Sequence, residues 1–411
     1  MARNQSDAQL IVTMRALRSF AYGLLAVLLS VALSQAGFSP AAIGVIITVS
    51  LLGDFLGTYV IALYADQWGR RRTLGILALL MAATGALFAL TRVYAVLLIA
   101  AFFGTLGTTA SETAPFLPIE QAMLPQTCLP HQRTALFARY NLVASFAGAL
   151  GALAAGLPDL LTHAGIPEPL GIRFMFGVYS ALALGVAGLA IWLSPNLESP
   201  VSAKERIGGR WQRLLPSLGK SRARVLQLAG LFSVDALAGG LIVQSLLVLF
   251  FHLRFSVPLV PLAALFFGAN ALSALSFLAA APLAHRFGLL NTMVFTHLPS
   301  NILLILVVAM PSFPLAALML LTRQALSQMD VPTRQAYTMA LVAPEVRTAT
   351  ASVTSLARSA GAASSPVFSG LLLQGPGLVL GLPLVIAGIL KSSYDLALWT
   401  IFRRVRLEDE R

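Results

Sequence analysis

Ionisable side chains inside long apolar stretches are the strongest candidates for function in this sequence. Ten stand within such stretches, and they are Asp54, Glu112, Glu120, Asp235, Asp330, Asp395, Arg323, Arg334, Arg358 and Lys391. A charge in apolar surroundings is costly unless it is paired or used, so each is a candidate for binding a solute or carrying a proton. The near balance of the two signs predicts pairing among them.

Spacing places some of these charges on one face of a helix. Asp330 and Arg334 are four residues apart and Arg323 precedes Asp330 by seven, so all three share a face. Asp330 is also a candidate for substrate binding or proton coupling. Lys391 and Asp395 are likewise four apart, and we interpret them as a structural pair within one helix.

One acid lacks a neighbour of opposite charge. Glu112 has none three or four residues away, and a carboxylate buried alone takes up a proton more readily than one in water. We predict that it carries a proton or binds a cationic group, with Asp54 and Asp235 as the next candidates. Arg323 and Arg358 are the candidates for an anionic group, because a guanidinium pairs well with carboxylate or phosphate. For each residue the alternative is a structural pair inside the protein.

The composition indicates whether the outer surface of this protein contacts water or lipid. Of its 411 residues 57% are hydrophobic and only 11% are charged, and the mean hydropathy is +0.82. A soluble domain is charged at about a quarter of its positions. Since so few polar groups cannot cover a surface in water, the sequence predicts a protein whose outer face contacts lipid.

Several function classes are disfavoured by what the sequence lacks. There is no GxxxxGK(S/T) phosphate loop, no GxSxG elbow and no HExxH pair, and the five histidines lack metal-ligand spacing. The single cysteine, Cys128, excludes an internal disulfide. The net charge of +12 resides largely in short loops, which favours a role in membrane topology over nucleic-acid binding. We therefore expect no enzyme, no ATP-driven pump, no cofactor, no metal and no nucleic-acid partner.

Apolar runs long enough to cross a bilayer core of about 30 Å recur along the chain. They predict an all-α integral membrane protein with about twelve transmembrane helices. The first run is kept as a helix and not read as a cleaved signal sequence, since its apolar stretch is long. The runs cover residues 16–36, 41–65, 73–91, 93–118, 134–157, 173–194, 225–251, 257–284, 289–310, 313–341, 348–374 and 376–402.

Basic residues are concentrated in every second loop between these runs. They are Arg15, Arg18, the arginines at 70–72, Arg133, Arg286, Arg347, those at 403, 404 and 406, and the basic segment 195–224. The alternate loops hold little beyond Arg92, Arg173 and Arg254. Because basic loops stay in the cytoplasm, both termini are predicted to be cytoplasmic.

The long polar segment divides the chain into two halves. Residues 1–194 and 225–411 are each predicted to form a six-helix bundle, and 195–224 a cytoplasmic linker. A short amphipathic helix around 211–215 could lie on anionic lipid, with a solvated basic loop as the alternative.

The two halves repeat one another at a constant offset. Pro118, Gln121, Ala122, Pro130, Arg133, Thr134 and Ala135 match Pro332, Gln335, Ala336, Pro344, Arg347, Thr348 and Ala349. With an even number of helices in each repeat, the halves share one orientation and are related by an axis along the membrane normal. Two like bundles around a central cavity suit alternating access.

The stretch at 62–72 carries a recognisable motif. Asp66, Gly69 and the arginines at 70–72 fit G-x-x-x-D-(R/K)-x-G-R-(R/K)-(R/K), while Ala62 and Gln67 depart from it. With the helix count, the linker and the internal symmetry, the chain resembles the major facilitator superfamily. The resemblance implies that Asp66, Gly69 and Arg70 form a latch holding the halves together on the cytoplasmic side. The alternative is a plain basic loop, which needs neither Asp66 nor Gly69.

The repeat adds further candidates for a cytoplasmic gate. Arg133 and Arg347 are equivalent loop positions. Glu120 and Arg334 are equivalent positions of opposite charge, which suits a salt bridge that forms or breaks as the halves rock.

The resemblance implies a secondary active transporter that moves a small solute by alternating access. We predict proton-coupled export of a lipophilic or amphiphilic compound across the inner membrane, by a monomer in contact with membrane lipid. The alternatives are a uniporter or symporter of a small organic anion, and a lipid or facilitated-diffusion carrier. A receptor or an intramembrane enzyme is the rival from another class, and the sequence offers neither a large soluble domain nor a convergent nucleophile and base.

Overall fold

The computed structural model describes residues 2–108, 115–129, 132–198, 222–342 and 346–405. Within these ranges the backbone is helical and contains no strand, which confirms the all-α prediction for the described part of the chain. The α-helices are α1 Ala2–Gln35, α2 Pro40–Trp68, α3 Arg70–Leu90, α4 Tyr94–Phe103, α5 Phe116–Met123, α6 Arg133–Ala154, α7 Leu157–His163, α8 Glu168–Trp192, α9 Arg222–Leu241, α10 Gln244–Phe255, α11 Leu259–Phe287, α12 Leu289–Ala309, α13 Phe313–Ser327, α14 Asp330–Ala340, α15 Arg347–Ser364, α16 Pro366–Leu372 and α17 Leu382–Phe402.

Nine helical segments among the described residues are long and apolar enough to cross a membrane. They are Ser6–Gln35, Pro40–Trp68, Arg70–Leu90, Ala135–His163, Glu168–Trp192, Arg222–Phe255, Leu259–Phe287, Leu289–Ala309 and Val379–Phe402. The predicted runs 93–118, 313–341 and 348–374 are not among them. The total of twelve and the cytoplasmic termini stay predictions.

Breaks in the helix explain why two of these three predicted runs are not continuous helices of membrane-spanning length. α4 ends at Phe103 and α5 begins at Phe116. α13 ends at Ser327, and α14 begins at Asp330 with Pro332 in its first turn. Proline has no N–H to bind the carbonyl four residues earlier, so the helical ladder is broken there.

The first helix begins earlier than the predicted run 16–36. α1 is helical from Ala2, so Arg15 and Arg18 stand on this helix and not in a loop before it. Both are buried, and Arg18 is fully so. The prediction of a loop at these two positions was wrong, and a buried acid described below offsets the cost of burying Arg18. Their location on the cytoplasmic side stays a prediction.

The chain divides into two compact units. Unit 1 comprises Met1–Pro200 and Val243–Ala271, and unit 2 comprises Val201–Ile242 and Leu272–Arg411. This division assigns α10 to unit 1 and α9 to unit 2. The predicted boundaries at 194 and 225 stay a prediction.

Close backbone contact holds the helices of unit 1 together. α1 packs along α6, where Gly151 lies against the backbone carbonyl of Phe20 and Gly23 against that of Gly148. A side chain at any of these contacts would enter the space of the neighbouring helix, so glycine permits the approach. Gly151 and Gly23 therefore serve the packing of α1 against α6.

In unit 2, α9 packs against α15, and α12 packs against α13 and α17. A core of buried apolar and aromatic side chains joins α9, α12, α14 and α17. Its largest members are Phe232, Tyr337, Tyr394 and Phe402. This packing positions the charged side chains on the same helices.

Gly151→Ala tests the close approach of α1 and α6. We expect it to lower the unfolding temperature of the purified protein by several degrees, because a Cβ there collides with the Phe20 carbonyl and overpacking costs about 1–3 kcal/mol. Gly177→Ala in α8 is the matched control, since a Cβ at Gly177 meets no atom within 4 Å. Equal shifts in the two variants would contradict this packing.

Candidate functional site

Unit 2 contains buried charges centred on Asp235 of α9. Its Oδ1 accepts a hydrogen bond from Lys391 Nζ at 2.6 Å, and its Oδ2 accepts from Arg358 Nη1 at 2.9 Å and from Arg334 Nη1 at 3.4 Å. The three cations come from α17, α15 and α14, so one carboxylate joins four helices. Asp235 is 3% exposed, and ion pairs are stronger where water is excluded.

A second acid and a fourth cation extend this group. Asp330 Oδ2 accepts from Arg334 Nη1 at 2.7 Å, which is the i,i+4 contact expected from their spacing. Arg323 of α13 is buried and donates from Nη1 to Gln324 Oε1 at 2.9 Å. Its Nε has no hydrogen-bond partner among the described residues, and no carboxylate there forms a salt bridge with it.

Asp395 has partners other than the predicted one. Its Oδ1 and Oδ2 each lie 3.0 Å from His297 Nδ1, and Asn301 Nδ2 donates to Oδ2 at 2.9 Å. The interpretation of Lys391 and Asp395 as a pair was wrong. α9 supplies Asp235 to Lys391, and α12 supplies His297 and Asn301 to Asp395, so each charge is met across helices.

The group carries an excess of positive charge. We call its seven members the Asp235 cluster, and they are Asp235, Arg323, Asp330, Arg334, Arg358, Lys391 and Asp395. Four cations face three carboxylates, an excess of one positive charge before His297 is counted. The Arg358 side chain is 32% exposed, whereas those of Arg334 and Lys391 are 9% exposed. Arg358 is therefore the most accessible of these three cations.

Unit 1 holds a separate buried ion pair. Arg18 of α1 binds Glu120 of α5 through two hydrogen bonds, Nη1 to Oε1 at 2.8 Å and Nη2 to Oε2 at 2.7 Å. Tyr140 of α6 donates its hydroxyl to Glu120 Oε2 at 2.6 Å, and the Arg15 guanidinium lies over the Tyr140 ring at 4.9 Å. Both partners of the pair are 0% exposed, so the pair fixes α1 against α5.

These contacts bear on the predicted gate. Glu120 is bound inside unit 1 and Arg334 inside unit 2 in this structure. The exchange of a salt bridge between them stays a prediction.

Asp54 is a buried acid of unit 1 with different surroundings. It is 6% exposed and forms no hydrogen bond or salt bridge with another described residue. Ser50 lies one turn earlier on α2, and its buried hydroxyl also lacks a partner among the described residues. Glu112, the first candidate for proton coupling, lies outside the described residues, so its role stays a prediction.

The motif between α2 and α3 forms a bonded turn. Asp66 Oδ1 accepts from Arg70 Nε at 2.7 Å, and Gly69 has a φ of 91°, a conformation that favours glycine. Glu198 accepts from the backbone N–H groups of Arg70 at 2.6 Å and Arg71 at 3.2 Å. Its carboxylate therefore caps the amino end of α3, where free N–H groups and the helix dipole favour an anion.

Glu198 is a functional candidate that the sequence analysis did not single out. It lies 128 residues from Arg70 and follows the sixth run directly. Arg70 Nη1 also donates to the Leu197 carbonyl at 3.3 Å, so the turn is fastened to the segment after α8. The role of Asp66, Gly69 and Arg70 as a latch between the halves stays a prediction.

The two equivalent loop arginines have different surroundings. Arg133 is exposed at the start of α6. Arg347 donates from Nε to the Met339 carbonyl at 3.0 Å and so binds the last turn of α14. A cation at a helix carboxyl end satisfies its free carbonyl groups.

A chain of apolar helices with charged side chains buried between them is typical of membrane transport proteins. The sequence profile of the Major Facilitator Superfamily matches residues 11–366, and the chain belongs to this family of transporters. It is a multi-pass integral membrane protein.

Relatives of known sequence and structure agree with this assignment. An uncharacterized membrane protein of Saccharomyces cerevisiae is 27% identical over 94% of this chain and 92% of its own length. Among solved structures, a bacterial homolog of the human lysosomal transporter Spinster, inward-facing and occupied, has a TM-score of 0.77 at 15% identity and covers 99% of each chain. A D-xylose-proton symporter has a TM-score of 0.75 at 14% identity, covering 96% of this chain and 97% of its own. The nucleoside transporter NupG has a TM-score of 0.73 at 13% identity, covering 98% of this chain and 100% of its own. These similarities confirm the fold.

Removing one partner of the Arg18–Glu120 pair tests its structural role. Arg18→Met leaves the Glu120 carboxylate buried without its cation, and breaking such a pair costs about 3–5 kcal/mol. We expect a large fall in unfolding temperature, with a smaller fall in Arg18→Met combined with Glu120→Leu, measured by thermal unfolding in detergent. A double variant as unstable as the sum of the two single variants would contradict the pairing.

Proposed function

We propose that this transporter is a secondary active carrier of a small organic anion, driven by protons. The observation that supports this proposal is the excess of positive charge in the Asp235 cluster. The sequence offered a small organic anion as an alternative to a lipophilic or amphiphilic compound, and the surroundings of Arg358 and Arg323 favour that alternative.

The electrostatics of the cluster give the physical reason. Asp235 is hydrogen-bonded to Lys391, Arg358 and Arg334, and Arg334 shares its charge with Asp330 as well. The three carboxylates of the cluster leave one of its four cations without a compensating charge, and uncompensated charge away from water is costly. An anionic group from a solute would lower that cost. An anion therefore stabilises the cluster more than a neutral or cationic solute does.

Two arginines are suited to contact the solute. Arg358 has the partly exposed side chain, and only one of its donors is engaged by Asp235. Arg323 is buried with its Nε unpartnered among the described residues. A guanidinium that keeps free N–H groups can bind a carboxylate or phosphate through two parallel hydrogen bonds. We assign recognition of the anion to Arg358 first and to Arg323 second.

Asp54 is the residue we propose as a proton carrier. It is a buried carboxylate with no cationic partner among the described residues, so it can take up a proton without breaking an ion pair. A fold shared with a D-xylose-proton symporter is compatible with proton coupling. Entry of a proton at Asp54 would compensate the negative charge of the solute.

The direction of transport, the membrane in which the protein resides and its oligomeric state are predicted from the sequence alone. Export, antiport, the inner membrane as location and the monomeric state stay predictions. The prediction that a lipophilic or amphiphilic compound is exported is supported chiefly by Glu112, and it stays a prediction. A lipid carrier and a carrier for facilitated diffusion also stay predictions.

Thermal unfolding of the purified protein with a panel of solutes tests the substrate class. We expect mono- and dicarboxylates or phosphate esters to raise the unfolding temperature, because a ligand that binds the folded state stabilises it. Arg358→Gln should lose most of this shift, whereas Arg254→Gln, which changes an exposed arginine outside the cluster, should keep it. Stabilisation by organic cations alone would contradict an anionic substrate.

Proton coupling is tested in liposomes loaded with a pH-sensitive dye. Addition of a stabilising anion should change the internal pH for the unmodified protein, because protons move with the solute. Asp54→Asn should abolish the pH change while exchange of labelled for unlabelled anion continues, since an amide cannot carry the proton. A pH change of the same size in Asp54→Asn would remove this residue from the coupling step.

A further inference from the structure

Unit 1 contains a pocket whose lining includes no residue of the Arg18–Glu120 pair or of the Asp235 cluster. It is formed where α1 and α3 end and α8 begins. Its wall is apolar, with Leu33, Leu97 and Ile172 beside the rings of Phe88 and Phe176, whose centroids are 5.8 Å apart. A pocket with this lining suits a hydrocarbon chain.

Two arginines line the same pocket. Arg92 follows the end of α3, and Arg173 lies near the start of α8. Both are exposed, and neither forms a hydrogen bond or salt bridge with another described residue. The acid close to them in sequence, Glu168, accepts a hydrogen bond from Gln35 Nε2 at 2.6 Å. Gln35 is uncharged, so Glu168 keeps its negative charge beside the pocket, and with the two arginines the rim has a net charge of one positive.

The position of these arginines is unusual for a membrane protein. Arg92, Arg173 and Arg254 are most of the basic residues in the alternate loops, which the sequence predicts to lie away from the cytoplasm. Arginines at helix ends lie at the level of the lipid headgroups. Two of these three line one pocket, which favours a specific partner over a role in topology.

We propose that this pocket binds an anionic phospholipid. The phosphate lies on Arg92 and Arg173, and part of one acyl chain lies against Phe88, Phe176 and Ile172. Charge complementarity identifies the occupant, because a cationic rim above an apolar wall matches an anionic head joined to a hydrocarbon tail. A bound lipid would contact α1, α3 and α8 together and so stabilise unit 1.

The experiment uses the full chain, purified and stripped of lipid in a neutral detergent. Phosphatidylglycerol and phosphatidylcholine are added separately, and the unfolding temperature and the mass of lipid-bound protein are measured. We expect phosphatidylglycerol to raise the unfolding temperature by several degrees and to remain bound in native mass spectrometry, with a much smaller effect from phosphatidylcholine. Inorganic phosphate alone should give no shift, because it lacks the chain.

Arg92→Gln combined with Arg173→Gln should lose the phosphatidylglycerol shift. Arg254→Gln is the matched control, since Arg254 is an exposed arginine that does not line the pocket, and it should keep the shift. Ile172→Trp fills the apolar wall and should weaken lipid binding with both arginines present. Equal shifts from the two lipids, an equal phosphatidylglycerol shift in the double arginine variant, or an equal shift from phosphate alone would each overturn the proposal. None of these outcomes depends on the transported solute.

Discussion

The Asp235 carboxylate is the constraint on which the rest of unit 2 depends. Three cations from three other helices meet one buried acid, and two of the three cations are buried with it. Removing charge from water is costly, so each cation requires its hydrogen bond, and the bonds fix how α9, α14, α15 and α17 pack. The same constraint leaves the cluster short of negative charge. Structural stability and affinity for an anion therefore have one physical origin.

In unit 1 the buried charges are compensated in a different way from those of the Asp235 cluster. Arg18 and Glu120 form a bidentate pair, and the Tyr140 hydroxyl occupies a further acceptor site on the carboxylate. A carboxylate satisfied in this way serves packing. Asp54 has no such partners among the described residues, and that difference separates a structural acid from a candidate proton carrier.

Features encoded by local sequence could be predicted. Apolar runs, the charges inside them and the motif at 66–70 are visible in the chain, and the i,i+4 spacing of Asp330 and Arg334 corresponds to a contact. Contacts between residues far apart in the sequence could not be predicted. Lys391 is four residues from Asp395 and yet binds Asp235, which is 156 residues away, and nothing in the spacing indicates that choice. Arg18 looks like a loop residue until Glu120, 102 residues later, offsets its burial. Glu198 caps α3 across a similar separation.

Transported charge is the most direct measure of the central claim that the carrier binds anions. Proteoliposomes adsorbed on a solid-supported membrane can be exchanged rapidly between a solution of sodium chloride and one containing an organic anion at the same pH. In Asp54→Asn, where no proton offsets the charge of the solute, we expect a transient current with the sign of negative charge moving toward the binding site, and its loss when Arg358→Gln is added. A current of opposite sign, obtained with organic cations and absent with anions, would contradict the claim.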